Sequence, residues 1–285
     1  MIRGNAHKYP VSAQCGILGI ARSTYYHHIN HPKSAVRIDT DLEDAIERIY
    51  RDNRSVYGAR KVKRVLDNKR KDKTSRRRIT TIMQRRGLIS AYTKKKYKPC
   101  KSKTNDSRLP DLLKRDFNGH KPLDCLVSDL TYVRVDDRWA YTCLLLDLYN
   151  REIIGHSAGS NKDARLVKAA FASMDADLFD VDVFHSDRGS EFDNMSLDGF
   201  LDFFGIRRSL SRKSNPWDNA VSEATFKLYK AEFAYRERFN TIEELQLKLS
   251  DYVHWFNNIR IHSTLDYMSP VEFRENGLMI SKKNV

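Results

Sequence analysis

Three acidic residues of this 285-residue chain lie at positions where a carboxylate indicates a chemical role. Asp129 lies inside an apolar run that predicts a strand, and a charge buried there is costly unless it is paired or bound to a metal. Asp187 follows the apolar segment 181–185, and functional groups gather at the C-terminal ends of strands in alternating α/β structure. Glu223 falls in a predicted helix that begins near Asp218. The intervals between the three acids are 57 and 35 residues.

The segments that carry these acids predict an α/β domain. Residues 123–135, 139–148 and 152–157 read as strands joined by tight turns, which makes an antiparallel meander. The complete predicted order is β-β-β-α-β-α-β-α-α, the ribonuclease-H-like order. The fold class is therefore a mixed five-stranded sheet with helices, preceded by a small basic all-helical module. The later elements are predicted at 162–176 (helix), 181–185 (strand), 197–204 (helix), 206–210 (strand), 218–235 (helix) and 241–257 (helix).

Charge divides the chain into two parts. Residues 1–115 hold 30 Lys/Arg and 10 Asp/Glu, a balance of +20, whereas residues 116–285 hold 21 and 27, a balance of −6. This asymmetry predicts a polyanion-binding part. Thirteen of these cations fall between Arg60 and Arg86 against two Asp, which favours phosphate contact over a solvated face. The candidate contacts are Arg60, Lys61, Lys63, Arg64, Arg76, Arg77 and Arg78, with Lys94, Lys95 and Lys96 further along.

The patterns predict five segments. Residues 1–33 form either a partial helix-turn-helix, lacking its first helix, or an irregular N-terminal arm. Residues 34–92 form the basic helical module, in which apolar side chains recur at helical spacing. Residues 93–119 are a basic linker that either follows a nucleic-acid groove or is a solvated tether. Residues 120–238 form the ribonuclease-H-like core, and residues 239–285 extend it with helices.

Several protein classes are excluded by composition. No run of 18 apolar residues exists, so a membrane span is not expected. The N-terminus lacks the apolar stretch of a signal peptide, and the four cysteines include no CxxC pair. A disulfide scaffold is therefore not expected, and a reducing cytoplasm fits. His27 and His31 do not predict a structural zinc, because the cysteines that such a module requires are missing.

The motifs around the three acids carry a family resemblance. Residues 185–192, His-Ser-Asp-Arg-Gly-Ser-Glu-Phe, resemble the second motif of the retroviral-integrase-like transposases, and residues 215–223 resemble the third. In that family 35 residues characteristically separate the last two acids of a D-D-E triad, and residues 252–270 resemble its C-terminal signature. The chain is most similar to the downstream-frame product, OrfB, of bacterial insertion sequences with two overlapping reading frames. The resemblance covers nearly the whole chain from about residue 14.

This resemblance implies a DNA transposase that nicks element ends and performs strand transfer. Asp129, Asp187 and Glu223 would be catalytic and would hold two Mg²⁺ or Mn²⁺ ions ~3.5–4 Å apart. One ion would activate the attacking water or DNA 3′-hydroxyl, and the other would stabilise the leaving oxygen. The implied partners are DNA, a second copy of the chain in at least a dimer on DNA, and the upstream-frame OrfA protein, separate or fused. The implied location is the bacterial cytoplasm, in association with the nucleoid.

Other residues near the triad are candidate DNA contacts. Lys227 and Lys230 lie four and seven positions after Glu223, so they share its helix face, and the resemblance implies contact with DNA near the reacting end. Asn219 belongs to the same face. His185 has two open interpretations, a phosphate contact or a satisfied strand histidine. Arg188, within the second motif, is a further candidate DNA contact.

The remaining acids near the motifs are expected to be structural. Asp218 is predicted to be the N-cap of the helix that carries Glu223, and Asp147 a turn or packing residue. Glu191 departs from the family pattern, in which a neutral Gln is common, and Ala224 and Thr225 replace the usual Ser-Phe. These departures remove no ligand, and they concern the fine positioning of substrate.

Two other functions are compatible with parts of this pattern. A ribonuclease H or junction resolvase would share the acids, but not the 35-residue spacing or the basic helical module. A catalytically inactive DNA-binding regulator of transposition would keep the basic module, and the intact set of acids argues against it.

Overall fold

The computed structural model assigns two compact units to the chain, Met1–Ala45 and Ile46–Val285. Lys94, Lys95, Lys96 and most of the basic linker predicted from the sequence lie outside the described residues. The structure describes residues 2–30, 39–69, 73–93, 109–189, 191–192, 194–212 and 215–283. Within these ranges no helix is long and apolar enough to cross a membrane.

The first unit contains three short helices and the start of a fourth. The two helices expected within residues 11–29 are present as α2 and α3, which pack on each other. A four-residue helix, α1, precedes them and contacts α2. The bounds are α1 Ile2–Asn5, α2 Val11–Ile17, α3 Arg22–Asn30 and α4 Thr40–Asp52.

The second unit begins with the basic helical module. Its helices α5 (Ala59–Lys69) and α6 (Arg76–Arg85) pack on each other through side chains that are fully or almost fully buried, among them Val62 and Ile79. Helix α6 begins at a side-chain cap, because the Ser75 hydroxyl accepts a hydrogen bond from the amide of Arg78. Apolar periodicity is a local signal, and both helices lie within the module predicted at residues 34–92.

The core of the second unit is a mixed five-stranded sheet of order β3-β2-β1-β4-β5. The first three strands form the predicted antiparallel meander. Strand β4 then pairs in parallel with β1, and β5 in parallel with β4. The predicted fold class is therefore confirmed. The bounds are β1 Cys125–Val135, β2 Arg138–Asp147, β3 Ile153–Gly159, β4 Val183–Ser186 and β5 Arg207–Leu210.

Helices cover this sheet and complete its apolar core. Phe171 of α7 and Leu197 of α8 pack with Leu126 and Phe184 of the central strands in one buried cluster. Helix α9 packs on β1, α10 packs on β3, and α11 packs on α10. The bounds are α7 Ala164–Ala172, α8 Met195–Phe203, α9 Ala220–Tyr229, α10 Ile242–Asn258 and α11 Pro270–Lys283.

The helix predicted at 218–235 is not continuous. A 3₁₀ turn, Pro216–Asn219, precedes α9, and a π-helical segment, Lys230–Ala234, follows it. A π-helical turn holds more residues than an α-helical turn, so side chains after Tyr229 leave the α-helical spacing. Four consecutive residues of this segment, 231–234, are buried. Tertiary packing on both sides of the segment therefore overrides the local helical pattern.

Candidate active site

The strand register brings two of the three predicted acids together. Strands β1 and β4 are parallel neighbours, and Ser128 of β1 is the partner of Ser186 of β4. Asp129 and Asp187 each follow one of these serines. Because neighbouring strands lie ~4.7–4.9 Å apart, the two carboxylates start from adjacent points at one end of the strand pair.

The two aspartates oppose each other's ionisation. Burial raises the pKa of Asp129 to about 8, and the charge of Asp187 adds to this rise. Burial also raises the pKa of Asp187. The charged form of each aspartate is stabilised by one backbone amide. The Leu130 amide donates to Asp129 Oδ1 at 2.7 Å, and the Gly189 amide donates to Asp187 Oδ1 at 2.9 Å. A cation beside the pair would stabilise both carboxylates in their ionised form.

Glu223 approaches the same place from α9. This helix packs on β1, and the charge of Glu223 contributes to the raised pKa of Asp187. The Glu223 carboxylate pairs with Lys227, with 3.8 Å between Oε2 and Nζ. Among the residues that the structure describes, no three His, Cys, Asp or Glu side chains already form a group that could hold a metal ion. The described arrangement is thus a carboxylate pair with a third acid nearby, engaged by a lysine.

A fourth acid, Glu191, lies beside the aspartates. Its side chain is buried, and its charge raises the pKa of both Asp129 and Asp187. Lys162 Nζ lies 3.0 Å from its Oε2 atom. The carboxylate also occupies the space that a β-carbon at Gly189 would need. Sequence reasoning noted Glu191 only as a departure from a family pattern and missed Lys162, which no motif in the sequence marks.

The two lysines predicted after Glu223 are placed differently. Lys227 is 78% exposed and faces Glu223. Lys230 lies in the π-helical segment, where its charge lowers the pKa of Asp129 and its ammonium group lies 6.0 Å from the centroid of the Tyr132 ring. Both lysines therefore border the acids. Lys227 does so from the solvent side, and Lys230 from the π-helical segment, next to Tyr132 of the sheet.

Asn219, which was predicted on the same face, immediately precedes α9. Its side chain is buried, and its Oδ1 atom has no hydrogen-bond partner among the described residues. The 3₁₀ turn before α9 holds it in this place.

His185 is a buried strand histidine whose Nε2 atom has no hydrogen-bond partner among the described residues. Its side chain is completely buried, and Nδ1 lies 2.8 Å from the Ser209 hydroxyl. Burial lowers its pKa, so the imidazole is neutral near pH 7. The prediction of a direct DNA contact is therefore corrected, because the strand on which His185 sits points it into the sheet core. Its neighbour in the second motif, Arg188, donates from Nε to the Ser211 carbonyl at 2.8 Å and joins the end of β4 to the segment after β5.

Asp218 is structural, but not through the predicted N-cap. The N-cap position of α9 is Asn219, and its side chain makes no capping hydrogen bond. Asp218 is fully buried and accepts hydrogen bonds from Arg212 Nε and Arg115 Nε, both at 2.7 Å. These guanidinium groups hold the pKa of Asp218 well below its usual range. Their ion pairs fix the loop before α9, since they tie it to segments 6 and 103 residues away in sequence.

Asp147 is the predicted turn residue. It is buried at the end of β2 and accepts hydrogen bonds from the amides of Leu123 and Tyr149. Its oxygens are thus used by backbone groups, which agrees with its structural role.

The predicted basic contacts separate into two places. A groove of about 560 Å³ is lined by Asp67, Tyr267 and cations from both helices of the module. Lys61 lies apart from it, with its ammonium group 4.9 Å from the centroid of the Tyr57 ring. Lys61 therefore does not line this groove with the other predicted contacts, because successive positions on α5 face different neighbours. The cations that line the groove are Arg60, Lys63, Arg64 and Arg76, and Arg77 and Arg78 are exposed on α6.

Models of three protein families match this chain. Two integrase core domain models match residues 119–216 and 223–278, which include the three acids between them. An HTH-like domain model matches residues 37–96. The match to the HTH-like model therefore falls on the basic helical module.

Transposases of insertion sequences are similar to the chain over most of its length. The putative transposase InsK for IS150 of Escherichia coli (strain K12) is 30% identical over 277 residues, or 95% of each chain. The putative transposase for IS986/IS6110 of Mycobacterium tuberculosis (strain H37Rv) is 32% identical, over 89% of this chain and 94% of its own. The transposase for IS904 of Lactococcus lactis is 28% identical, over 82% and 93%.

A solved structure of the HTLV-2 integrase catalytic core domain in complex with magnesium is a more distant likeness. It is 12% identical, with a TM-score of 0.39, and the match covers 53% of this chain and 96% of the integrase chain. The assignment rests instead on the family models and on the transposases above. The chain belongs to the insertion-sequence transposases with an integrase core domain, and it is a DNA transposase, a polynucleotidyl transferase that carries its acids on β1, after β4 and on α9.

Proposed function

We propose that Asp129, Asp187 and Glu223 are the catalytic carboxylates of this transposase, which nicks the ends of its element and transfers the strand. The observation that supports this most directly is the β1–β4 register, which makes Asp129 and Asp187 neighbours. Helix α9 adds Glu223 from the side. Two acids distant in the sequence are thus neighbours at one end of one strand pair, with the third on a helix that packs on β1.

The donor set fits a hard divalent cation. Carboxylate oxygens are the ligands that Mg²⁺ and Mn²⁺ prefer, and the raised pKa values of Asp129 and Asp187 describe two buried acids with too little positive charge nearby. We propose that Asp129, Asp187 and Glu223 hold two such ions. Bound there, the ions would activate the attacking water or 3′-hydroxyl and stabilise the leaving oxygen of the phosphodiester.

The surrounding residues of the chain position the substrate. Lys227 and Lys230 border the acids and would contact phosphates next to the reacting bond. Asn219, with a free Oδ1 among the described residues, is placed to accept a hydrogen bond from the substrate or from a water molecule. The Lys162–Glu191 pair neutralises the fourth acid, so Glu191 need not compete for the ions.

Element ends would be held by the basic helical module. The groove between α5 and Tyr267 concentrates four cations around one aspartate, a surface that suits a phosphate backbone. The exposed Arg77 and Arg78 extend this surface along α6. We propose that at least two copies act together on DNA in the bacterial cytoplasm, with the upstream-frame OrfA protein, separate or fused, contributing to the recognition of ends.

The catalytic assignment is tested by titrating Mg²⁺ and Mn²⁺ in assays of nicking and joining on labelled DNA ends. Wild type is compared with Glu223→Gln and with the control Glu275→Gln, which neutralises an exposed acid on α11. Glu223→Gln should lower the rate at least ~1,000-fold, about 4 kcal/mol of transition-state stabilisation, with DNA binding retained. Unchanged activity in Glu223→Gln, or cleavage of RNA–DNA hybrids without strand joining, would contradict the assignment.

The DNA-binding assignment is tested by the salt dependence of affinity. Replacing Arg76, Arg77 and Arg78 together by Gln should weaken binding to all DNA sequences and reduce the slope of log K against log salt by about 1 per lost phosphate contact. Arg165→Gln, which removes an exposed charge from α7, is the control. An unchanged slope in the triple variant would show that α6 does not contact the backbone of DNA.

A further inference from the structure

A second cavity lies beside the helix that carries Glu223. We call it the α9 pocket; it has a volume of about 420 Å³. Its cationic side is formed by Lys61, Arg151 and Arg260, and His262 also lines the cavity. Its apolar side includes Val221, Ala224 and Leu228 of α9. These three residues lie about 100–160° around the helix axis from Glu223, because each residue of an α-helix turns it by about 100°.

The cationic side chains of the α9 pocket differ in whether they are paired with a carboxylate. Arg260 is satisfied, since its guanidinium donates to both carboxylate oxygens of the buried Glu232 at 2.7–3.0 Å. Arg151 donates from Nη2 to the Phe117 carbonyl and to Asn118, but its buried Nη1 has no hydrogen-bond partner among the described residues. Lys61 has no hydrogen bond in the same ranges, and its ammonium group lies 4.9 Å from the centroid of the Tyr57 ring. Lys61 and Arg151 therefore line the cavity without a direct ion pair among the described residues.

The nearby acids are already engaged. Tyr92 and Tyr252 donate to Glu232 in addition to Arg260. Asp147, whose charge acts on Arg151, accepts two backbone amides. Burial, Arg260, Lys61 and Arg151 together lower the pKa of His262, which shows that the cations converge. Burial and Arg260 lower the pKa of Lys61 to about 7, although the charge of Glu232 acts in the opposite direction.

One ligand class satisfies both sides of the cavity. A phosphate would occupy the unmatched cationic side, and a planar base would cover the apolar side formed by α9 and the ring of Tyr92. The volume lies within the range of small-molecule sites, ~300–1,000 Å³. We propose that the α9 pocket binds one unpaired nucleotide of the DNA substrate, with its phosphate at Lys61 and Arg151 and its base against Val221, Ala224 and Leu228.

This placement links the pocket to the reaction. An α-helix is ~10–12 Å across with its side chains, so a nucleotide in the pocket and a phosphodiester at Glu223 would lie on different faces of one helix, within about that distance. A nucleotide costs a few kcal/mol to unstack, least at a strand end or a mismatch, so a dedicated site favours DNA that is already unpaired. The inference rests on the proposed function only in taking the nucleotide from the DNA substrate.

Binding is tested first with deoxyadenosine monophosphate, without metal, by calorimetry. Lys61→Gln removes the charge, Ala224→Leu fills the apolar side, and Lys69→Gln is the matched control on the same helix, α5. We expect Lys61→Gln and Ala224→Leu each to weaken binding at least ~10-fold, with Lys61→Arg and Lys69→Gln close to wild type. Equal affinity in wild type, Lys61→Gln and Ala224→Leu would overturn the site.

The source of the nucleotide is tested with DNA ends that carry 2-aminopurine at one unpaired position. Wild type should change the fluorescence of this base, and Ala224→Leu should abolish the change while still binding the duplex. Binding of deoxyadenosine monophosphate without any response from 2-aminopurine DNA would overturn the DNA source. Inorganic phosphate that binds as tightly as the nucleotide would overturn the base contact.

These measurements are separable from the catalytic assignment. Nucleotide binding without metal needs neither cleavage nor joining, so Glu223→Gln should bind deoxyadenosine monophosphate as wild type does. Loss of nucleotide binding in Glu223→Gln would place the nucleotide at the acids and would overturn the α9 pocket. Circular dichroism and the thermal transition of each variant show that a loss of binding does not come from unfolding.

Discussion

Asp129 and Asp187 lie one residue beyond a register pair, Ser128 and Ser186, on two parallel neighbouring strands. This relationship places two carboxylates side by side with the charge of Glu191 also close. Without a cation, such a site destabilises the folded chain, because folding brings like charges together and removes them from water. The acids that we propose as catalytic are thus held at a cost in stability.

The first prediction is that Asp129→Asn stabilises the metal-free protein. The pKa of Asp129 is higher in the folded than in the unfolded chain, so this residue disfavours folding increasingly as pH rises from about 4 towards 8. At pH 8 the variant should gain about 1–3 kcal/mol in free energy of unfolding, measured with urea. Mg²⁺ should raise the melting temperature of wild type more than that of the variant. A variant less stable than wild type in metal-free buffer would contradict this.

The second prediction concerns Gly189. The Glu191 carboxylate occupies the position of a β-carbon at residue 189, so Gly189→Ala must displace it from its pairing with Lys162. The expected loss is about 1–2 kcal/mol in free energy of unfolding. Because the clash is with the side chain of Glu191, Glu191→Ala in the same chain should make the further change Gly189→Ala nearly neutral. If the losses in free energy of unfolding from Gly189→Ala and Glu191→Ala were additive in the double variant, the clash would not be with the Glu191 side chain.

The third prediction concerns the buried pair Glu232–Arg260. Arg260→Met leaves Glu232 buried without its guanidinium partner and should cost about 3–5 kcal/mol. Changing both residues, to Glu232→Gln and Arg260→Met, should cost clearly less than Arg260→Met alone, because no buried charge remains. Urea denaturation of the two variants measures the difference. A double variant as unstable as Arg260→Met would show that packing, and not the charge, dominates.

The fourth prediction is a pH-dependent contribution of Lys61. Its pKa of about 7 in the folded chain lies below the ordinary value of 10.5, so between these values the unfolded chain holds the extra proton. Raising the pH from 7 to 9 should therefore stabilise wild type relative to Lys61→Met, by at most about 1.4 kcal/mol per pH unit. Denaturation of both proteins at matched pH values isolates this residue. A difference that is constant with pH would mean that Lys61 is not desolvated.

Much of the architecture follows from local patterns. Apolar periodicity and turn residues predicted the order of strands and helices and the mixed sheet. The acids were recognisable because a carboxylate inside an apolar strand and one at the end of a strand are unusual, and because their spacing matched a family. The sequence by itself thus determined the family, the fold class and the three candidate carboxylates.

The tertiary structure alone decided how charges are matched. Lys162 with Glu191, Arg115 with Asp218 and Arg260 with Glu232 join positions 28 or more residues apart, which no local pattern pairs. The π-helical segment after α9 likewise comes from packing on both of its sides. Contacts of this kind depend on how elements fold against each other, and they also turned His185 inwards, separated Lys61 from the basic groove and formed the α9 pocket.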